Sequence, residues 1–284
     1  MKRFITYKNL SIASVGLWLI VFVLVPITLV FMTSFLSHTA EQLFTLPLTL
    51  QNYRQLIDPL YLRIFLNSVL LAGGCTALCL LLGYPFAYLI ANCSQRWRSF
   101  LLILVILPFW MSTLIRTYAI MAIIKAHGLI NTLLIWAGII HQPLQILYSN
   151  TAVLIGLVYD LLPFMILPLY ASIEKLDVKF VEAAKDLGAS KTIIFAKIII
   201  PLTKPGIIAG ILLVFLPAMT MFYIPTILGG AKSMLLGNLI QNQFLEALNW
   251  PEGAAISSML VFILLLMILV YWRNSKNSDR QDLA

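Results

Sequence analysis

The chain has 284 residues, of which 61% are hydrophobic and only 11% charged, with a mean hydropathy of +0.96. Soluble domains carry about 25% charged residues, so the composition excludes an ordinary soluble domain. The formal net charge of +8 comes from Lys and Arg clustered between apolar runs, which signals membrane topology rather than a nucleic-acid surface.

Residues 1–10 carry Lys2, Arg3 and Lys8 ahead of an apolar run at 12–35. A basic start also opens signal peptides, but this run is too long for one and ends without a small-x-small cleavage site. The expectation is a retained first transmembrane helix, kinked at Pro26, with its N-terminus in the cytoplasm. Residues 37–63 are mixed and read as an external loop with one short helix at 52–57. A second span at 64–90 contains Pro85, which is expected to interrupt it near its cytoplasmic end. The turn 92–98 brings Arg96 and Arg98 and leads to a third span at 99–124, with L-P-F-W at 107–110. The loop 125–150 holds an apolar stretch, 129–140, too short to cross a bilayer and expected at the outer interface. A fourth span, 151–171, contains Asp160, Pro163 and Pro168. A fifth, 206–228, contains Pro217 and Pro225, and a sixth runs over 254–272. The tail 273–284 is expected to be disordered.

This order gives an all-α membrane protein with six spans and both termini on one side. The basic residues say which side. Fourteen of the 19 Lys and Arg fall at residues 1–10, 96–98, 175–204 and 273–280, whereas Arg54, Arg63, Arg116, Lys125 and Lys232 lie outside or at outer ends. The positive-inside rule puts the termini in the cytoplasm.

No chemistry of a membrane enzyme emerges. Cys75 and Cys79 sit one helical turn apart as small packing residues. Cys93 and the loop histidines His38, His127 and His141 have no partner at metal spacing. G-A-S-K-T at 188–192 ends like a phosphate-binding loop but lacks its first glycine and spacing. No cofactor, metal or nucleic acid is expected.

The longest charge-mixed interruption is 182–201, E-A-A-K-D-L-G-A-S-K-T-I-I-F-A-K-I-I-I-P. Between two spans, it must sit at a membrane surface, on the cytoplasmic side by the charge count. It reads as two short helices. Phe180, Val181, Ala184 and Leu187 share one face of the first, Gly188 ends it with a positive φ, and Ser190 caps the second, which Pro201 and Pro205 stop. On these residues alone it is either an amphipathic surface helix or a segment that docks in another protein, where Ala183 and Ala184 permit close approach.

The spacing E-A-A-x-x-x-G with a distal I-x-x-P, at Glu182, Ala183, Ala184, Gly188, Ile198 and Pro201, resembles the cytoplasmic signature of permease subunits of bacterial ABC importers. The resemblance covers residues 52–272 and is strongest to permeases of spermidine/putrescine importers. It rests on N-Y-R-Q-L-I-D-P-L-Y at 52, G-Y-P-F-A-Y at 83, P-F-W at 108, L-L-P-F-M at 161, S-I-E-K-L-D at 172, I-I-P-L-T at 199, P-G-I-I-A-G at 205 and G-G-A-K at 229. It implies a type I ABC importer permease with first helix and loop at 1–63, transmembrane core at 64–272 with coupling loop 173–204, and tail at 273–284. It further implies a bacterial inner-membrane location, a heterodimer with a second permease, a dimer of ATP-binding subunits held by the coupling module, and a periplasmic polyamine-binding protein.

A polycation needs carboxylates, carbonyls and aromatic faces along its path. Asp160 is the one acid inside an expected span, close to mid-membrane, where an ionisable group suggests function. It either contacts the path or serves a neighbouring helix, for instance by pairing with Arg116. Trp110, Tyr118, Tyr159 and Tyr223 are candidate path aromatics or packing anchors. Prolines 85, 108, 163 and 217 either expose carbonyls to the path or simply kink their helices. Outside, Asp58 and residues 249–253 are either contacts for the binding protein or solvated loop. Two rivals are an ion-coupled secondary transporter using Asp160, and an importer permease for another small cationic or organic solute.

Overall fold

The computed structural model describes residues 12–39, 42–230 and 233–281. The basic N-terminal segment, Lys232 and the last residues of the tail lie outside them. The chain divides into two compact units, one drawn from Met1–Leu62 and Leu239–Leu269, the other from Arg63–Asn238 and Val270–Ala284.

Five helical stretches are long and apolar enough to span a membrane: Ile12–Thr33, Pro59–Asn92, Thr113–Trp136, Asn150–Glu174 and Trp250–Leu269. A sixth is the pair Lys191–Leu202 and Lys204–Thr220, bent by 66°.

In the first unit, the helical stretch Ile12–Thr33 carries Pro26, and the segment before it, Ile20–Leu24, is wound as a wider π-helix. A proline ring collides with the carbonyl four residues back, here that of Phe22, and the wider turn moves that carbonyl aside. The expected loop helix forms at Gln51–Gln55. The buried amide of Asn52 donates to the carbonyls of Ser34 (2.8 Å) and Leu36 (2.9 Å), satisfying acceptors that the ending helix leaves open. An antiparallel pair, Ser37–Thr39 with Gln42–Thr45, was not expected. Glu252 is buried, accepting from the Tyr61 hydroxyl and from Asn249 Nδ2 (2.7 Å) in the first turn of the Trp250–Gln281 helix. A carboxylate there complements the helix dipole, so Glu252 is held inside the fold. That helix continues to Gln281, correcting the expectation of a disordered tail.

In the second unit, Pro85 does not break its helix, which runs from Pro59 to Asn92. Pro163 and Pro168 are likewise carried inside Asn150–Glu174. Packed neighbours hold such turns despite one missing hydrogen bond. The third expected span differs: Pro108 ends the Gln95–Ile106 helix in a 3₁₀ turn, Leu107–Trp110, and a new helix starts at Thr113. Within the stretch Thr113–Trp136, a short break at residues 125–128 leads to the helix Leu129–Trp136, whose buried Asn131 ties back to Lys125 and Leu144. The fifth expected span is shorter than 206–228: its helix ends at Thr220, Met221 is extended, and a π-helical turn follows at Pro225–Gly229.

The two helices that flank the charged module cross closely. A Cβ on Gly206 would come within 2.4 Å of Ser172 Cβ and 2.7 Å of the Pro168 carbonyl oxygen, and one on Gly210 within 2.5 Å of Met165 Sδ. Small residues spaced by four let membrane helices approach to backbone contact. Met165, Leu169, Leu161 and Val214 are buried in this unit, as are Cys75 and Cys79.

Candidate functional site

The module between these helices folds as two short helices joined at a bend. Val178–Asp186 is capped by Asp177, whose carboxylate accepts from Lys179 N (3.0 Å), and ends at Gly188 with φ +76°. Ser190 caps the next helix by accepting from Ile193 N (3.4 Å). The second helix does not stop at Pro201: a π segment, Phe195–Ile199, precedes it and accommodates the ring as at Pro26, and the chain turns only at Thr203. Ala184, Ile194 and Ile199 form its buried core, against Val181, Ile198, Phe195 and Tyr88. The expected apolar face therefore splits: Val181 and Ala184 point in, while Phe180 and Leu187 are exposed, Leu187 at 88%.

Glu182, Ala183 and Gly188 lie on the outside; Ala184, Ile198 and Pro201 do not share that exposure. Glu182 has no hydrogen-bond or ion-pair partner among the described residues. Three exposed members of the motif thus face outward on a frame built by the others.

Two contacts absent from the sequence reading pin the module to the Pro59–Asn92 helix and its turn. Arg98 donates to Glu174 Oε1 (2.9 Å) and to the Ala91 carbonyl (2.8 Å) where the module begins. Where it ends, the hydroxyls of Tyr84 and buried Thr203 meet at 2.8 Å, and Phe195 stacks edge-on against Tyr84. Tyr84 and Thr203 both lie in strings already singled out, but nothing in a linear sequence pairs residues so far apart. Thr203→Val should leave the Tyr84 hydroxyl without this partner and cost about 1–3 kcal/mol. Adding Tyr84→Phe should recover part of that loss, as read by thermal unfolding in detergent.

A second site lies deeper. Asp160, in Asn150–Glu174, and Arg116, in the first turn of Thr113–Ile124, are both buried, with Arg116 Nη2 2.9 Å from Asp160 Oδ1. The contact is an ion pair without an aligned hydrogen bond, since Asp160 Oδ1 and Arg116 Nε find no hydrogen-bond partner among the described residues. Arg116 Nη2 also donates to Thr113 Oγ1 (2.9 Å), and the Tyr223 hydroxyl stands 3.5 Å from Asp160 Oδ2. Tyr223 follows the break at Met221, so three elements converge here.

The other path aromatics do not join this cluster. Trp110 is 83% exposed at the end of its 3₁₀ turn, and Tyr118 and Tyr159 are exposed on their helices. Of the candidates, the structure unites Asp160 with Tyr223 and adds Arg116, which the sequence offered only as one possible partner.

Residues 80–278 match the family described as binding-protein-dependent transport system inner membrane component. The chain is 47% identical over 287 residues (99% of this chain, 100% of the relative) to the spermidine/putrescine transport system permease protein PotB of Salmonella typhimurium (strain SL1344). It is 50% identical over 259 residues (91% and 94%) to PotB of Escherichia coli (strain K12). Its fold superposes with a TM-score of 0.73 at 17% identity, covering 95% of this chain and 93% of the other, on a chain of a bacterial alginate ABC transporter in complex with alginate pentasaccharide-bound periplasmic protein.

Proposed function

The chain belongs to the family of binding-protein-dependent transport inner-membrane components, and from that premise we propose that it is the membrane-spanning permease of an ATP-driven polyamine importer of the spermidine/putrescine class. It is a multi-pass inner-membrane protein with the type I importer fold. The observation that carries the substrate class is identity of 47–50% sustained over nearly the whole chain to permeases of that name.

It pairs with a second permease to form the path, receives polyamine from a periplasmic binding protein, and leaves hydrolysis to a dimer of separate ATP-binding subunits. Residues 64–272 form the transmembrane core, with 1–63 and 273–284 as flanking segments. The 182–201 module faces the cytoplasm and is the contact for the ATPase, with Glu182, Ala183 and Gly188 on the docking face. Supporting this is an exposed face that has no partner among the described residues, carried on a module pinned at both ends. When ATP closes the ATPase dimer, the module moves as one body with the helices it joins and, through Arg98 and Tyr84, with the Pro59–Asn92 helix.

The ion-coupled alternative asks Asp160 to be a free titrating carboxylate, but its charge is already balanced by Arg116 at 2.9 Å. Uptake of radiolabelled spermidine and putrescine into vesicles holding the whole complex tests the proposal. Uptake is expected only with ATP. Uptake driven by an ion gradient without ATP, or none of either polyamine, overturns it.

A further inference from the structure

An arginine has no evident reason to be where Arg116 is. It sits in the first turn of Thr113–Ile124, the positive end of the helix dipole, where a cation is least favoured. It is 6% exposed, within a membrane-spanning stretch, so its full charge is carried inside the protein. Asp160 answers that charge from the facing helix at 2.9 Å. The pair occupies the level at which the Lys204–Thr220 helix gives way to extended backbone at Met221, reached through Tyr223 at 3.5 Å from Asp160. Broken backbone at membrane depth persists only where it is buried in protein or lines a watery cavity, and Thr220 and Phe222, on either side of Met221, are exposed. A buried ion pair therefore stands beside a break that this chain alone does not cover.

We propose that Asp160 is a charge-cancelling residue. It holds Arg116 electrically neutral beside the route of a polycationic solute and does not itself bind that solute. This rests on the polyamine reading above and specifies how the path stays open to cations. Both charged groups are inaccessible to a passing ammonium, so they act through their field. Paired, they present a small dipole; with Asp160 removed, a full positive charge faces each ammonium with little solvent to screen it.

The test is polyamine uptake by the complete complex in vesicles, normalised to permease present in the membrane. Asp160→Asn should lower uptake of the diamine putrescine roughly tenfold, and of the triamine spermidine by more. It should raise KM rather than lower kcat alone. Arg116→Gln removes the repelling charge and should not raise KM. The double variant Arg116→Gln/Asp160→Asn should return to within about threefold of wild type, and it answers the question even where Asp160→Asn fails to assemble, because it leaves no unpaired charge.

Equal losses in both single variants for diamine and triamine alike would mean that the pair only holds helices together, and would overturn the proposal. So would a double variant that assembles but stays low, which makes Asp160 a direct ligand. Wild-type complex that takes up no polyamine overturns the importer reading and this inference together; wild-type uptake with a failed double variant overturns this inference alone.

Discussion

Glu182→Lys is expected to abolish polyamine uptake while the permease inserts into the membrane in normal amount. Glu182 is exposed and has no hydrogen-bond or ion-pair partner among the described residues, so reversing its charge removes nothing that holds the fold. Exposed substitutions of this kind usually change stability by no more than about 0.5 kcal/mol. A loss of transport therefore reports a contact outside the chain, and the ATPase is the partner proposed for that face. Gly188→Asp should do the same by a different cause. Its φ of +76° strains any L residue, yet no atom stands within 4 Å of the added Cβ. The strain costs about 1–2 kcal/mol, too little to unfold the unit, so Gly188→Ala should transport measurably while Gly188→Asp should not. Uptake and copurification of the ATPase, measured against permease content, check each variant. Normal transport by Glu182→Lys and Gly188→Asp would remove the coupling assignment.

The motif was legible because its residues are local. Gly188 had to close a helix and Ser190 to open one, and both do so by contacts a few residues away. What the motif residues face was not legible. Ala183 and Ala184 looked like one small surface for a partner, but only Ala183 is outside; Ala184 is small so that Ile194 and Ile199 can close over it. The proline effects were misjudged for a related reason. Pro85 was expected to interrupt a span, but a helix packed on its neighbours tolerates one lost hydrogen bond. At Pro26 and Pro201 the accommodation is a preceding π segment, which leaves no mark in composition. Asp160 stood out as an acid among apolar residues. Arg116 could be offered only as one possible partner, since 44 positions separate it from Asp160 and only the crossing of two helices brings them together.

The close crossing of the Asn150–Glu174 and Lys204–Thr220 helices makes Gly206 a demanding position outside the motif. A methyl there would lie 2.4 Å from Ser172 Cβ and 2.7 Å from the Pro168 carbonyl oxygen. The first contact involves a short side chain, but the second is backbone and yields only if the helices move apart. Gly206→Ala should cost about 1–3 kcal/mol by overpacking, seen as a lower unfolding temperature in detergent. Gly206→Val, branched at the crowded atom, should prevent stable accumulation in the membrane. Ser172→Gly should rescue Gly206→Ala only in part, because it relieves the side-chain contact and leaves the carbonyl. At Gly210 the nearest atom is the flexible Met165 sulfur, so Gly210→Ala should be much milder than Gly206→Ala. The difference has a functional side. Gly206 and Ser172 lie just where the two helices meet the module, so the crossing fixes the base from which the module projects. A base held at backbone contact passes displacement of the module into both helices, and a base loosened by Gly206→Ala should lose uptake per assembled complex while ATP hydrolysis continues.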